Sequence, residues 1–233
     1  MAIIGFVGES KSGKTSLIVE ITKTLRRKGY EVATIKHIAD PDFTTIDTKG
    51  TDTYRYTNAG ASLVVGASSD ETAFILKDRL DFSNITNMIE EIVHPDIILV
   101  EGFKNEGNQK VALDKTDTKN VILEYDGDER KILDYIVREI EIERIYKRLP
   151  KLDCSKCGFD CKKMAKRIYE GEATFEDCVN RSEIKLNIKI NGEALPLGKF
   201  VKKITRNTIL GLISPLKDVG RVETLEITYE GER

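Results

Sequence analysis

The stretch Gly8-Glu9-Ser10-Lys11-Ser12-Gly13-Lys14-Thr15 decides the fold, because it matches the pattern G-x-x-x-x-G-K-[ST] without a mismatch. An apolar run at residues 2–8 predicts a buried strand before it, and apolar residues at helical spacing over 15–28 predict a helix after it. Gly8 and Gly13 allow the intervening backbone N–H groups to turn towards an anion. The sequence therefore predicts a phosphate-binding loop between a strand and a helix.

A second strand at residues 31–36 completes a strand–helix–strand unit, which indicates a parallel sheet. We therefore expect an α/β fold of the P-loop NTPase type, with a mostly parallel sheet and helices on both faces. The remaining strands are predicted at 63–66, 72–76, 97–100, 110–113 and 121–125, and the remaining helices of this part at 84–93 and 128–149.

The chemistry of the loop points to a nucleotide with magnesium. Lys14 would neutralise the β- and γ-phosphates, and the Thr15 hydroxyl would ligate Mg²⁺. Glu101 directly follows a buried strand and is the expected acidic partner of the ion. Asp52 and Asp47, in a polar loop, are further candidates for holding a magnesium-bound water or orienting a nucleophile.

Two other polar segments are candidates for a role at this site. Lys36 and His37 end the second predicted strand, at the edge of the sheet where ligands bind in open α/β folds. Asp114-Lys115-Thr116-Asp117 partly matches the Asn-Lys-x-Asp guanine signature but lacks its Asn, and we interpret it as a chance match.

Composition limits the class of protein. The 233 residues are 40% hydrophobic and 33% charged, which is typical of a globular chain. The net charge of −2 argues against a strongly basic nucleic-acid surface. Since no apolar stretch reaches the roughly 18 residues of a membrane helix, and the apolar start is too short for a signal peptide, we expect a cytoplasmic protein that binds neither membrane nor nucleic acid.

Several blocks in this order resemble the molybdopterin-guanine dinucleotide biosynthesis adapter family, MobB. They are Gly8–Ser16, Ile35-Lys36-His37, Lys49-Gly50-Thr51-Asp52-Thr53-Tyr54-Arg55, Ala59-Gly60-Ala61 and Leu99-Val100-Glu101-Gly102-Phe103-Lys104. The resemblance covers roughly residues 1–125. It implies a homodimeric P-loop protein that binds GTP with Mg²⁺ and has weak intrinsic GTPase activity. It also implies partnership with the guanylyltransferase that joins GMP to molybdopterin. The matching nucleotide-binding positions are Gly8, Ser10, Lys11, Ser12, Gly13, Lys14, Thr15 and Ser16.

All four cysteines of the chain, Cys154, Cys157, Cys161 and Cys178, lie within 25 residues, which indicates a metal or cluster site in a reducing compartment. We expect Cys161 to begin a helix whose N-terminus lowers the pKa of its thiol. The spacing resembles the small four-cysteine [4Fe-4S] domain of corrinoid iron–sulfur proteins. One C-x-x-C pair followed by two single cysteines favours [4Fe-4S] over Zn²⁺, which stays the alternative.

The sequence suggests three parts: a nucleotide-binding domain at 1–148, a cysteine domain at 149–182 and a small β-rich module at 183–233. In the last part, a strand alternating from Ile184 to Ile190, a type I′ turn at Asn191-Gly192, a helix at 200–213 and an alternating run at 222–229 are expected. The favoured function is a GTP-binding adapter. A P-loop NTPase or small-molecule kinase, and an electron-transfer protein with a regulatory nucleotide site, are the alternatives.

Overall fold

The computed structural model describes residues 1–40, 42–181, 186–216, 222 and 225–227. The chain divides into two compact units, Met1–Ile140 and Glu141–Arg233.

The first unit is built on a five-stranded sheet in the order β2-β5-β1-β6-β7, and every neighbouring pair is parallel. β5 is buried at all five positions, as expected for a central strand covered on both faces. The strands are β1 (Ala2–Val7), β2 (Val32–Lys36), β5 (Ile97–Glu101), β6 (Gln109–Ala112) and β7 (Val121–Glu124). This arrangement confirms the predicted fold class.

Helices cover both faces of this sheet. On one face, α1 (Lys14–Arg27) and α4 (Glu129–Arg148) contribute to a core with Ile97 and Leu99. On the other, α3 (Phe82–Val93) packs against Ile98 and Val100. Successive residues of β5 thus point to opposite layers, as the pleat of a strand requires. α3 begins two residues earlier than predicted because the Asp81 side chain caps it, accepting a hydrogen bond from the Asn84 amide at 2.8 Å.

A separate antiparallel hairpin is formed by β3 (Leu63–Ala67) and β4 (Thr72–Leu76). Cross-strand pairing sets Leu63 opposite Leu76 and Val65 opposite Phe74. These four side chains are 38–54% exposed, whereas Val64, of opposite orientation, is buried. We call the four the hairpin face. The short α2 (Asp52–Asn58) lies against β3, as the sequence predicts for the polar loop that leads to a short helix.

The second unit contains α5 (Cys161–Tyr169), a 3-10 helix (Phe175–Asp177), the antiparallel strands β8 (Ile188–Ile190) and β9 (Glu193–Leu195), and α6 (Lys199–Ile213). Asn191 and Gly192 adopt φ values of 52° and 87°, which confirms the predicted type I′ turn. The prediction that the strand β8 buries its apolar side chains on one face is wrong at Ile190, which is 55% exposed. Ile184 and half of 222–229 lie outside the described residues.

The described residues include no helix that is both long and apolar enough to cross a membrane.

Candidate nucleotide-binding site and cysteine cluster

The phosphate loop connects β1 to α1, as predicted. Gly13 adopts a φ of +88° immediately before the first helical residue, a left-handed conformation that favours glycine. At Gly8 the constraint is space, because a Cβ atom there would come within 2.9 Å of Ser12 Oγ and 3.1 Å of Asp114 Oδ2. Both glycines of the motif therefore have a structural requirement in this fold.

Lys14 turns back over the loop. Its Nζ donates to the carbonyl oxygens of Gly8, at 3.2 Å, and of Glu9, and lies 3.2 Å from Ser12 Oγ. The ammonium is thus held at the centre of the loop by oxygen atoms. Phosphate oxygens can replace these acceptors, because they are stronger partners for a lysine than neutral carbonyl groups are.

Glu101 joins the loop to the neighbouring strands. Its Oε2 accepts a hydrogen bond from Thr15 Oγ1 at 2.8 Å, and its Oε1 pairs with Lys36 Nζ. The parallel register aligns Glu101 with Phe6 of β1 and Lys36 of β2, so the three strands end together beside the loop. The structure thus brings together Thr15 and Glu101, which the sequence singled out for Mg²⁺.

Burial alone would raise the pKa of the Glu101 carboxyl, because the residue is only 8% exposed. Hydrogen bonds from Lys36 and Thr15 outweigh that effect and hold the pKa below its ordinary value. Glu101 is therefore a carboxylate at neutral pH. An ionised carboxylate beside a hydroxyl is a donor set that fits Mg²⁺.

The other acidic candidates lie in different surroundings. Asp52, the first residue of α2, is an exposed side chain that pairs with Arg55 at 3.3 Å. Asp47 Oδ1 accepts hydrogen bonds from Thr48 N, Thr51 Oγ1 and Thr53 Oγ1, which organises the turn before α2. In the described contacts neither carboxylate touches the phosphate loop.

The His37 side chain packs against a neighbouring aromatic ring. Its ring lies 4.5 Å from the ring of Phe103, and its backbone N–H donates to the Glu101 carbonyl at 2.8 Å. Gly102, at φ +95°, provides the space, since a Cβ there would lie 2.8 Å from His37 Cβ. His37 therefore supports the end of β5 next to Glu101.

Asp114 is a site residue that the sequence analysis missed. Its Oδ2 accepts a hydrogen bond from the Glu9 amide at 2.8 Å, so it holds the first turn of the phosphate loop. The sequence feature that could have identified it is its position just after β6, the strand that pairs with β1. In the sequence, this aspartate stands out only as the first residue of a partial guanine signature.

The cysteines have unequal surroundings. Cys161 and Cys178 are buried in one apolar cluster with Met164 and Leu149, and Cys157 packs against it. Cys154 is exposed, and its Sγ accepts a hydrogen bond from Asn180 Nδ2 at 3.1 Å. All four thiols are free. Within the part of the chain that the structure describes, no three His, Cys, Asp or Glu side chains are gathered closely enough to hold one metal ion.

Cys161 begins a helix as predicted, but the pKa of its thiol is raised rather than lowered. The helix begins at Cys161 after the cap Asp160, and the buried residues Cys161, Met164 and Ala165 share one face, as expected. However, burial raises the pKa of the Cys161 thiol. At Cys154, a hydrogen bond from the Lys156 backbone and one from Asn180 lower the pKa instead.

In number and chemical type, the four cysteine side chains fit an iron–sulfur cluster. Four reduced thiols match the usual four-thiolate ligation, and the apolar cluster around three of them provides the low-polarity surroundings that tune such groups. Asn180 hydrogen-bonds Cys154 and lies two residues after Cys178, so it connects the two ends of the cysteine segment.

The parallel sheet, with a glycine-rich loop between its central strand and the following helix, defines a P-loop nucleoside-triphosphatase fold. A family model described as "MobB: Molybdopterin guanine dinucleotide synthesis protein B" matches residues 3–136, and one described as "Putative Fe-S cluster" matches residues 149–179. The chain belongs to the MobB family.

The relatives of this chain are described as molybdopterin-guanine dinucleotide biosynthesis adapter proteins or as MobB. A Methanocaldococcus jannaschii protein, "Putative molybdopterin-guanine dinucleotide biosynthesis adapter protein", is 34% identical over 99% of this chain and 98% of its own length. The Escherichia coli adapter protein is 31% identical over 48% of this chain and 64% of its own length. The crystal structure of Bacillus subtilis MobB covers 60% of this chain and 98% of its own, with 20% identity and a TM-score of 0.49.

Proposed function

We propose that this protein is a GTP-binding adapter in molybdopterin guanine dinucleotide biosynthesis that assists the guanylyltransferase joining GMP to molybdopterin. The observation that carries the proposal is the meeting of Lys14, Thr15, Glu101 and Lys36 at the carboxyl edge of the sheet, in a chain of the MobB family. The names of its relatives support the same pathway.

The phosphate loop would bind the nucleotide through its backbone. Backbone N–H groups between Ser10 and Ser16 and the positive end of the α1 dipole would face the phosphates. Lys14, already surrounded by loop oxygens, would exchange them for β- and γ-phosphate oxygens. Asp114 would keep the loop in shape through its bond to the Glu9 amide.

Mg²⁺ would be held by Thr15 and Glu101, and it would neutralise phosphate charge. Because Lys36 pairs with the same carboxylate, it would keep Glu101 ionised and oriented. We retain Asp52 as the candidate for orienting an attacking water. Its side chain is exposed and bonded to Arg55, so hydrolysis would be slow, as suits an adapter.

The domain boundaries 1–148, 149–182 and 183–233 are proposed as nucleotide-binding, cysteine and tail modules. In the cysteine module, Cys154, Cys157, Cys161 and Cys178 would hold a [4Fe-4S] cluster, with Zn²⁺ as the alternative occupant. Such a cluster supplies structural cross-linking or one-electron transfer. The match of residues 149–179 to an iron–sulfur family supports the assignment.

A homodimer is the proposed assembly, and the hairpin face supports it. An isolated two-stranded hairpin is marginal in water unless its apolar face is covered. A second copy would cover Val65 and Phe74 with the same residues by two-fold symmetry. The guanylyltransferase and molybdopterin are the other proposed partners.

The function is tested by adding the protein to a guanylyltransferase reaction containing molybdopterin and Mg²⁺-GTP. We expect the wild-type chain to raise dinucleotide yield and Lys14→Ala to lose that effect. An identical yield with and without the wild-type protein would contradict the adapter role. Rapid multiple-turnover GTP hydrolysis by the protein alone would favour the enzyme alternative.

A further inference from the structure

The second unit contains a cavity of about 520 Å³ with a strongly basic lining. Its wall is formed by the end of α4, the segment after it, β9 and the first turn of α6. Five cationic side chains line it: Lys147, Arg148, Lys151, Arg181 and Lys202. Among the described lining residues none is acidic. We call this cavity the basic pocket.

Only part of this charge is explained by local structure. Lys147 and Arg148 lie in the last turn of α4, where cations complement the helix dipole. Lys202, by contrast, lies in the first turn of α6, where the dipole disfavours a cation. That helix start also has no acidic residue and no side-chain cap. The amide groups of this first turn, which no side chain caps, and Lys202 therefore favour an anion at the same end of the helix.

The two arginines are fixed by one aromatic ring. The guanidinium carbons of Arg148 and Arg181 lie 4.2 and 5.0 Å from the centroid of the Phe175 ring. Glu176 pairs with Arg181 at 2.8 Å, but this carboxylate is not part of the pocket lining. Phe175 thus contacts both guanidinium groups, and Glu176 offsets the charge of Arg181 only.

The remaining lining sets the size and character of the ligand. Apolar side chains including Leu149, Leu195, Pro196 and Leu197 complete the wall. The volume falls within the range of about 300–1,000 Å³ that is typical of small-molecule sites. An inorganic phosphate would leave most of this space and the apolar wall without contact, whereas an organic body would fill it.

We propose that the basic pocket binds an organic phosphate, a phosphate ester carried on a ring, at a site of the second unit that is independent of the phosphate loop. Lys147, Lys151, Lys202 and the paired arginines would contact the phosphate, and the leucine and proline side chains would contact the ring. This site goes beyond the proposed function, because it would bind its ligand even if the phosphate loop bound no GTP.

The test uses the full chain carrying Lys14→Ala, so that the phosphate loop contributes little, and GMP as the probe in calorimetry. The pocket variant Lys147→Met/Lys202→Met removes two charges but keeps the apolar stems. The matched control Lys189→Met/Lys203→Met removes two exposed lysines outside the lining. Lys147→Arg/Lys202→Arg restores charge and checks that the pocket still folds.

We expect the pocket variant to lose at least about tenfold in GMP affinity, while the matched control and the arginine variant stay within about threefold of the Lys14→Ala parent. Guanosine, which lacks the phosphate, should bind much more weakly than GMP. Absent GMP binding in the parent would overturn the proposal. So would an equal loss in both methionine variants, which would indicate general attraction to positive charge. An altered iron content with unchanged GMP affinity would likewise overturn it and assign the cations to the cysteine cluster.

Discussion

Thr15 Oγ1 donates a hydrogen bond of 2.8 Å to Glu101 Oε2, joining the first turn of α1 to the last residue of β5. The two residues are 86 positions apart in the chain. Their contact follows from the sheet, because β1 and β5 are parallel neighbours that end at the same edge. This pair is the proposed magnesium site.

Glu101→Gln should reduce the magnesium dependence of GTP binding. The amide keeps the shape of the side chain but loses the charge that a hard cation needs. We expect affinity with Mg²⁺ to fall by about tenfold or more, and affinity in EDTA to stay near the wild-type value. Glu124→Gln, at the exposed end of β7, is the control and should change neither value. Equal magnesium dependence in wild type and Glu101→Gln would rule out this ligand.

Lys110→Met should destabilise the first unit. Lys110 is 0% exposed, and its Nζ donates to the carbonyls of Asn108, at 2.9 Å, and Glu106. Methionine fills similar space but leaves these acceptors unpaired, so we expect a loss of about 1–3 kcal/mol in urea unfolding. Lys119→Met, at an exposed site, should cost little.

The same variant also has a pH signature. Burial lowers the pKa of Lys110 in the folded protein, and the nearby Glu106 charge opposes this effect. At pH values between this lowered pKa and the ordinary pKa of lysine, the unfolded chain therefore binds more protons than the folded one. Wild-type stability should therefore rise relative to Lys110→Met as pH increases through that alkaline window. A stability difference that is constant across the window would contradict this account of Lys110.

Val65→Asp should dissociate the proposed dimer. The substitution introduces a charge on the hairpin face opposite Phe74, where burial against a second copy would be unfavourable. We expect sedimentation at tens of micromolar to change from a dimer to the 26.3 kDa monomer. Ser62→Asp, just before β3, adds the same charge outside the hairpin face and should leave the dimer intact. A monomeric wild-type protein would refute the assembly.

Protein purified without oxygen should be brown and carry iron and sulfide, as expected for a thiolate-ligated cluster. Cys178→Ser should weaken iron retention less than Cys157→Ser, because the 16-residue spacer before Cys178 raises the loop-closure entropy of its bond. A colourless protein with one zinc per chain would decide for the alternative metal. Metal-free protein with four titratable thiols would exclude both.

Local patterns predicted most of the fold. The glycine motif and the apolar run before Glu101 were sufficient for the loop, the central strands and the pairing of Glu101 with Thr15, because parallel strands end at one edge. Asp114 was missed because its contact with Glu9 spans 105 residues and depends on β6 lying beside β1. The direction of the Cys161 pKa was not predicted because burial raises it, and the sequence does not specify burial residue by residue.

The central claim is that the loop binds Mg²⁺-GTP through Lys14, and calorimetry of Lys14→Ala tests it most directly. Wild-type protein should bind Mg²⁺-GTP with micromolar affinity and prefer it to Mg²⁺-ATP. Lys14→Ala should abolish binding, because a charge-assisted contact to the triphosphate is lost. Lys28→Ala, at the other end of α1, removes the same charge and should bind normally. Unchanged GTP affinity in Lys14→Ala would contradict the account.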